Sequence, residues 1–199
     1  MKTRRRIRDG TRRLLFPKHK GVAYEKLRMT PEGEYSITRR SDGERLLKIM
    51  KSVLGTTRDK DITDLTGNVG GDTILFGLHF KSVRSIEWNP SNFEALQENV
   101  RVFGLTNVKL YHGDSRKIFD WKTDVLYIDA PWGGPDYKTK KDLDLFLGDT
   151  RVDLFVNEIL ERANRPQYVF LKVPRNYNFK RFPNAKKFAL RTYFILCVE

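Results

Sequence analysis

The sequence predicts an α/β fold, with a mostly parallel central sheet covered by helices on both faces. Three observations lead there. Between residues 61 and 173, short apolar runs alternate with segments of helical spacing. The runs are near-continuous, as strands buried on both faces require. Each unusual loop also follows a strand: Thr66 to Gly71, Glu87 to Asn89, Gly113 to Ser115, Asp129 to Tyr137 and Pro174 to Asn176. Ligands of open sheets bind beyond the carboxyl ends of the strands, so this phase predicts one shared site.

The elements follow in order. Ser41-Asp42-Gly43-Glu44 is a helix start, Leu46, Leu47, Met50, Val53 and Leu54 supply an apolar face, and Gly55 can end the helix. Asp61 to Leu65 is the first strand, leading into a glycine-rich turn and a helix over Asp72 to Phe80. Ser82 to Glu87 is the second strand. Asn89-Pro90-Ser91 opens a helix that runs to about Phe103 and stops at Gly104. A third strand (Val108 to Tyr111), a short helix (Ser115 to Phe119), a fourth strand (Asp124 to Ile128), a helix (Asp149 to Ala163) and a fifth strand (Gln167 to Val173) come next. Phe188 to Val198 reads as one final β segment. Residues 21 to 40 are mixed and polar, with Pro31 and Gly33 as punctuation. The organisation expected is a basic, partly flexible extension over residues 1–40 and a single domain over 41–199.

Composition narrows the class. The chain has 199 residues, 39% of them hydrophobic, enough for one packed core. No window approaches 18 apolar residues and the N-terminus has no apolar stretch, so neither a membrane span nor a secretory signal is expected. Cys197, the single cysteine, lies in the apolar run Tyr193 to Val198 and reads as a core residue, not a nucleophile. The expected setting is intracellular, in nucleus or cytoplasm, with a compact viral version also compatible, and the expected state is a monomer. The formal net charge is +13. Lys2, Arg4, Arg5, Arg6, Arg8, Arg12, Arg13, Lys18 and Lys20 stand against Asp9 alone in the first twenty residues. Such a block suits an arm that neutralises RNA phosphates without reading sequence. A solvated tail or a nuclear-import signal would have the same composition.

Asp64-Leu65-Thr66-Gly67-Asn68-Val69-Gly70-Gly71 joins a strand, a flexible turn and a helix start. It lacks the spacing of a dinucleotide fingerprint and no phosphate-binding lysine follows. A carboxylate at the strand end suits a hydroxylated or cationic ligand; a plain tight turn is the alternative. The second strand ends in Glu87, which can accept two ribose hydroxyls, and the third is followed by Asp114, which can accept from an adenine amine. Each acid alone could be a cap or a solvated group, but three acids after three successive strands form a pattern. That order resembles the class I S-adenosylmethionine-dependent methyltransferases over about residues 38 to 175, which implies a Rossmann-like fold and S-adenosyl-L-methionine as cofactor, with S-adenosyl-L-homocysteine as product and no metal.

Asp129-Ala130-Pro131-Trp132 resembles the catalytic motif of methyltransferases that act on exocyclic amines. Such an amine is a poor nucleophile because its lone pair is delocalised into the ring. A carboxylate and a backbone carbonyl can orient that lone pair and accept developing charge, and an aromatic neighbour can stack on the base. The longer run Pro131-Trp132-Gly133-Gly134-Pro135-Asp136-Tyr137 closely resembles the trimethylguanosine synthase family of cap hypermethylases. Tyr35-Ser36-Ile37-Thr38, Asn99 to Gly104 and Val173-Pro174-Arg175-Asn176 agree with it.

By that resemblance the substrate is a 7-methylguanosine-capped RNA, methylated at N2 to a di- or trimethylguanosine cap. Asp129 and the Ala130 carbonyl would address the amine. Trp132 would stack on the charged base, with a cation–π gain of roughly 1–2 kcal/mol. Ser36 and Asn99 would contact the guanine; Pro135, Tyr137 and Arg175 would complete the substrate side, the last two on the triphosphate. Thr38, Asp64, Thr66, Gly67, Gly70, Thr73, Glu87, Trp88, Asp114, Ser115 and Asp129 form the expected cofactor set. The sequence departs from the family where Asp129-Ala130 replaces Ser-Pro and where Asn68 replaces the first glycine of the cofactor turn. The family's phosphate-binding lysine has only Lys18 or Lys20 as counterparts.

Three other functions fit part of the pattern. A ribose 2′-O-methyltransferase could draw Asp129, Lys172 and Glu199 into a catalytic set. Guanine-N2 methylation of structured RNA would suit the basic arm. A non-enzymatic RNA-binding protein would keep Trp132 and the arm but would not need the three acids.

Overall fold

The computed structural model describes residues 9–199, at Asp9, Gly10 and Pro135 by the backbone alone. Lys2, Arg4, Arg5, Arg6 and Arg8 of the basic arm therefore lie outside the described residues, as does the Pro135 side chain.

Helices α1 (Asp9–Leu15), α2 (Pro31–Ser36) and α3 (Arg40–Leu54) precede strand β1 (Asp61–Asp64). Then come α4 (Gly71–His79), β2 (Ser82–Glu87), α5 (Pro90–Val102), β3 (Val108–His112), α6 (Ser115–Ile118) and β4 (Val125–Ile128). A two-stranded ladder, β5 (Phe146–Leu147) with β6 (Thr150–Arg151), leads into α7 (Val152–Glu161). Strands β7 (Tyr168–Pro174), β8 (Lys186–Ala189) and β9 (Tyr193–Val198) finish the chain. The main sheet has the order β3-β2-β1-β4-β7-β9-β8. The strands from β3 to β7 run parallel, and β9 lies antiparallel between β7 and β8. The chain winds outward in both directions from β1 and β4, which places a switch point, and so a ligand crevice, at their carboxyl ends.

The local reasons are those of the sequence. Buried Leu46, Leu47, Met50 and Leu54 form the inner face of α3, and Gly55 stops it at φ 72. Asn89 caps α5 by accepting from the Ser91 N–H at 2.9 Å, with Pro90 in the first turn. Successive residues of one strand feed opposite layers. Leu126 and Ile128 pack with Phe155, Val156 and Ile159 of α7, whereas Val125 and Tyr127 pack with Leu46, Met50 and Phe76 of α3 and α4. Cys197 is buried in that second layer beside Phe170 and Ile195.

Two sequence expectations are corrected. The final β segment is a hairpin, because Leu190, Arg191 and Thr192 turn the chain between β8 and β9. The helix expected over residues 149–163 is shorter, since Thr150 and Arg151 pair with Phe146 and Leu147 instead. The polar segment before α3 also holds structure that the sequence reading passed over. Thr30 caps α2 by accepting from the Gly33 N–H at 2.9 Å. Phe16, Tyr24, Leu27 and Ile37 are buried in one cluster with Val69, Ile74, Leu96 and Phe103. Burying side chains of this size contributes about 1.5–3 kcal/mol each, so residues 16–37 pack as part of the core. Among the described residues no helix is long and apolar enough to cross a membrane.

Candidate active site

A cavity of about 990 Å³ opens at the switch point, and the loops after β1, β2, β3 and β4 all line it. At one end lies the turn after β1, a strand that closes with Asp64. Asp64 is fully buried and accepts from Thr73 Oγ1 at 2.6 Å and from the Thr66 N–H at 3.0 Å. Burial pushes its pKa up to about 7, against the pull of the Thr73 hydrogen bond and with help from Asp72. Thr73 also bonds Ser85 at 2.8 Å. Asp64 and Thr73 thus lie beneath the turn and hold its shape, while Thr66, Gly67 and Asn68 line the cavity. Gly67 approaches β2 so closely that a Cβ there would meet Ser85 Oγ at 2.5 Å. Asn68 takes the left-handed conformation at φ 49 that a glycine would occupy more easily. Gly70, at φ 98, shapes the start of α4.

Glu87 lines the same cavity and accepts from the Asn68 and Asn89 N–H groups, both at 2.7 Å. Burial raises its pKa, and those two hydrogen bonds oppose the rise. Asp114 caps α6 and pairs with Arg116 at 2.7 Å, which lowers its pKa. Trp88, exposed over its face, and Ser115 border the cavity beside these acids.

The other end of the cavity lies over β4 and β7. Asp129 is fixed through its N–H, donated to Thr66 Oγ1 at 2.9 Å. Its Oδ2 accepts from Lys172 Nζ at 2.6 Å. Burial pushes the Asp129 pKa up to about 6 against the lowering effect of Lys172. Burial alone would lower the Lys172 pKa, but Asp129 and Asp72 hold it above the ordinary lysine value. Lys172 also donates to Thr38 Oγ1 at 2.9 Å, and Thr38 donates to Asp72 Oδ2 at 2.7 Å. Ala130 and Trp132 follow on the cavity wall, with Tyr137 edge-on to Trp132 at 5.1 Å between ring centroids. Among the described residues, Asn68 Oδ1, Asp72 Oδ1, Trp132 Nε1 and the Tyr193 hydroxyl are buried without a hydrogen-bond partner, and all four residues line this one cavity. Buried polar atoms are rarely left so, and those of this cavity wall are open to an ordered water or to a ligand for which the side chains shift slightly. With a carboxylate ending β2, another just after β3 and the glycine-containing turn after β1 beside them, the acceptors fit the hydroxyls and amines of S-adenosylmethionine.

Some expected contacts fall elsewhere. Asn99 is fully buried away from the cavity: it donates to the carbonyls of Arg28 and Val69 and accepts from the Arg28 N–H. Its amide is fully engaged with backbone, so it clamps the turn to the N-terminal segment. Arg175 donates to the carbonyls of Leu190 and Arg191 and lies over Phe194. It braces the β8–β9 turn and does not line the cavity. Ser36 does line it, with its hydroxyl shared between the Glu32 carbonyl and Asn68. Lys18 and Lys20 are exposed and outside it. Glu199 pairs with Lys186 at the opposite end of the sheet, because β9 runs antiparallel, so it cannot join Asp129 and Lys172. Tyr193 and Asp72 were not foreseen as site residues.

A seven-stranded sheet in this order, with acids at the carboxyl ends of its first strands, defines a Rossmann-like class I methyltransferase fold. The family model for RNA cap guanine-N2 methyltransferases matches residues 59–191, and the chain belongs to that family. An uncharacterized protein of Acanthamoeba polyphaga mimivirus is 34% identical over 61% of this chain and 48% of its own length. The trimethylguanosine synthase of Schizosaccharomyces pombe is 28% identical over 66% of this chain and 57% of its own. The chain thus spans about half the length of the curated relatives it matches. A 16S rRNA N2 methyltransferase from Thermus thermophilus, bound to S-adenosylmethionine and guanosine, superposes with a TM-score of 0.62. It covers 79% of this chain and 42% of its own at 17% identity, a likeness of fold.

Proposed function

We propose that the protein uses S-adenosylmethionine to methylate the exocyclic N2 amine of a 7-methylguanosine RNA cap. The observation that carries the reading is that Asp129, Ala130 and Trp132 share one cavity with Thr38, Gly67, Glu87 and Asp114. When bound, S-adenosylmethionine supplies an electrophilic methyl group and departs as its neutral demethylated thioether. Glu87 addresses ribose hydroxyls and Asp114, with Ser115, the adenine edge. Thr66 and Gly67 bring backbone close to the ligand. Trp132 offers its face to the methylated guanine, whose positive charge an indole favours over a neutral base. Asp129 and the Ala130 carbonyl hold the amine so that its lone pair points toward the methyl. Tyr137 borders the phosphates.

The test is mass spectrometry of the product nucleosides, after incubation of the full chain with S-adenosylmethionine and, separately, 7-methyl-GTP, GTP, a 7-methylguanosine-capped RNA and an uncapped folded RNA. Methyl gained on N2 of 7-methyl-GTP, and none on GTP, is the expected result. A methyl on ribose would favour the 2′-O reading, to which the Lys172–Asp129 bond lends its support and the remote Glu199 does not. Activity only on folded RNA would redirect the reading to structured substrates.

A further inference from the structure

Asp129 follows the last residue of β4, and Lys172 stands beside it on the neighbouring strand β7, next to the Ile128–Leu171 pairing. Lys172 is 6% exposed. A buried ammonium is unfavourable unless its protons are directed at partners. Here one goes to Asp129 Oδ2 at 2.6 Å and one to Thr38 Oγ1 at 2.9 Å. The rings of Tyr193 and Trp132 lie 5.1 and 5.7 Å from Nζ and receive the remaining positive face. On Asp129 this engages Oδ2, whereas Oδ1 has no hydrogen bond among the described residues and the side chain is 18% exposed on the cavity it lines. The lysine thereby fixes the plane of the carboxylate and leaves one oxygen turned to the ligand.

We propose that Lys172 is a positioning residue for methyl transfer, holding Asp129 ionised and oriented so that Oδ1 receives an N–H of the substrate amine. The assignment rests on the guanine-N2 reading of the site. The amine gains a methyl and loses one proton; Oδ1 accepts that proton and passes it to solvent, and Lys172 keeps its own. Acids and phenols acting on the pair are Asp72 from α4, Asp64 from β1, Tyr127 from β4, Tyr193 from β9 and Asp42 from α3. The cations Arg39, Arg116 and Lys138 line the same cavity, but among the described residues Lys172 is the cation bonded to Asp129. Without Lys172, Asp129 would lose its contacting cation, and its proton affinity would rise above a value already lifted to about 6 by burial.

The experiment compares the full-length wild type with Lys172→Met, Lys172→Arg and Asp129→Asn on 7-methyl-GTP between pH 5 and 9, after calorimetry with S-adenosylhomocysteine has shown each to be folded. In Lys172→Met, kcat is expected to fall on the order of 10-fold or more and KM for 7-methyl-GTP to stay within about 3-fold. The acid limb of the profile should move up by about one pH unit or more. Lys172→Arg should recover part of kcat, and adding Lys172→Met to Asp129→Asn should cost little further activity. An acid limb left where the wild type has it, arginine no better than methionine, or fully additive losses would each overturn the assignment. If the methionine variant does not fold, Lys172→Gln is read in the same way. Product analysis separates the two levels. A wild type that leaves N2 unmethylated sinks the reading of the site and this assignment with it. A wild type that methylates N2 with an unshifted limb in the variants removes only the role of Lys172.

Discussion

Two carboxylates at the carboxyl ends of neighbouring strands, Asp64 fully buried and Asp129 partly so, are held in opposite ways. Asp64, the last residue of β1, meets a threonine hydroxyl and one backbone N–H and has no cation among its partners in the described residues. Asp129, after β4, meets an ammonium. Both are lifted by burial, one to about 7 and the other to about 6. The difference teaches what each is for. Asp64 can be protonated without losing its place, because its work is to tie the turn to α4. Asp129 carries a counter-charge, which favours its ionised form and suits the acceptor role proposed for it.

The largest effect expected from breaking this contrast is on stability. The Asp64 contribution is fully present below the ordinary carboxylate value of 3.8 and is lost as pH rises through about 7, since the folded state binds the proton more tightly. Up to ~4 kcal/mol is at stake over that window. Asp64→Asn should flatten the dependence and raise Tm at pH 8 relative to wild type, which thermal unfolding across pH 4 to 8 would show. Asp129→Asn should leave Tm far less altered but lower methyl transfer on the order of 100-fold, about 2.7 kcal/mol, as a methylation assay of folded protein would record. In the wild type the rate should fall as pH drops through about 6. Third in size is Asn99→Ala, which strands an N–H and two carbonyls and should cost about 2 kcal/mol in denaturant unfolding, with little direct change in affinity for 7-methyl-GTP. Smallest is Trp132→Ala, expected to weaken 7-methyl-GTP binding roughly 10-fold in a titration. Unchanged binding would remove Trp132 as the stacking surface.

Much of the frame was legible because buried parallel strands are written as apolar runs and because the loops that follow them carry the unusual residues. Asn99 was misassigned to the guanine although its own helix held the answer. It falls on the face of Ala95, Leu96 and Val100, all buried, and an amide on that face meets backbone before it meets ligand. Arg175 carried no comparable signal, since the carbonyls it holds belong to a turn without glycine, asparagine or proline. For the same reason the hairpin of β8 and β9 read as one strand. Thr30-Pro31-Glu32 is an ordinary helix start, and it was overlooked because the surrounding composition is polar. The pairing of Lys172 with Asp129 depends on two strands, distant in sequence, standing side by side, which periodicity along the chain does not encode.

The Asn99 amide has a mechanical consequence. It joins Arg28 to Val69, residues that lie on separate segments and reach α5 independently. The cofactor turn and the N-terminal segment consequently share one rivet, and loosening either transmits slack to the other. A ligand that stiffens residues 66–70 is therefore expected to slow exchange of the amides of residues 16–28 as well, although those residues stand behind the pocket and do not line it.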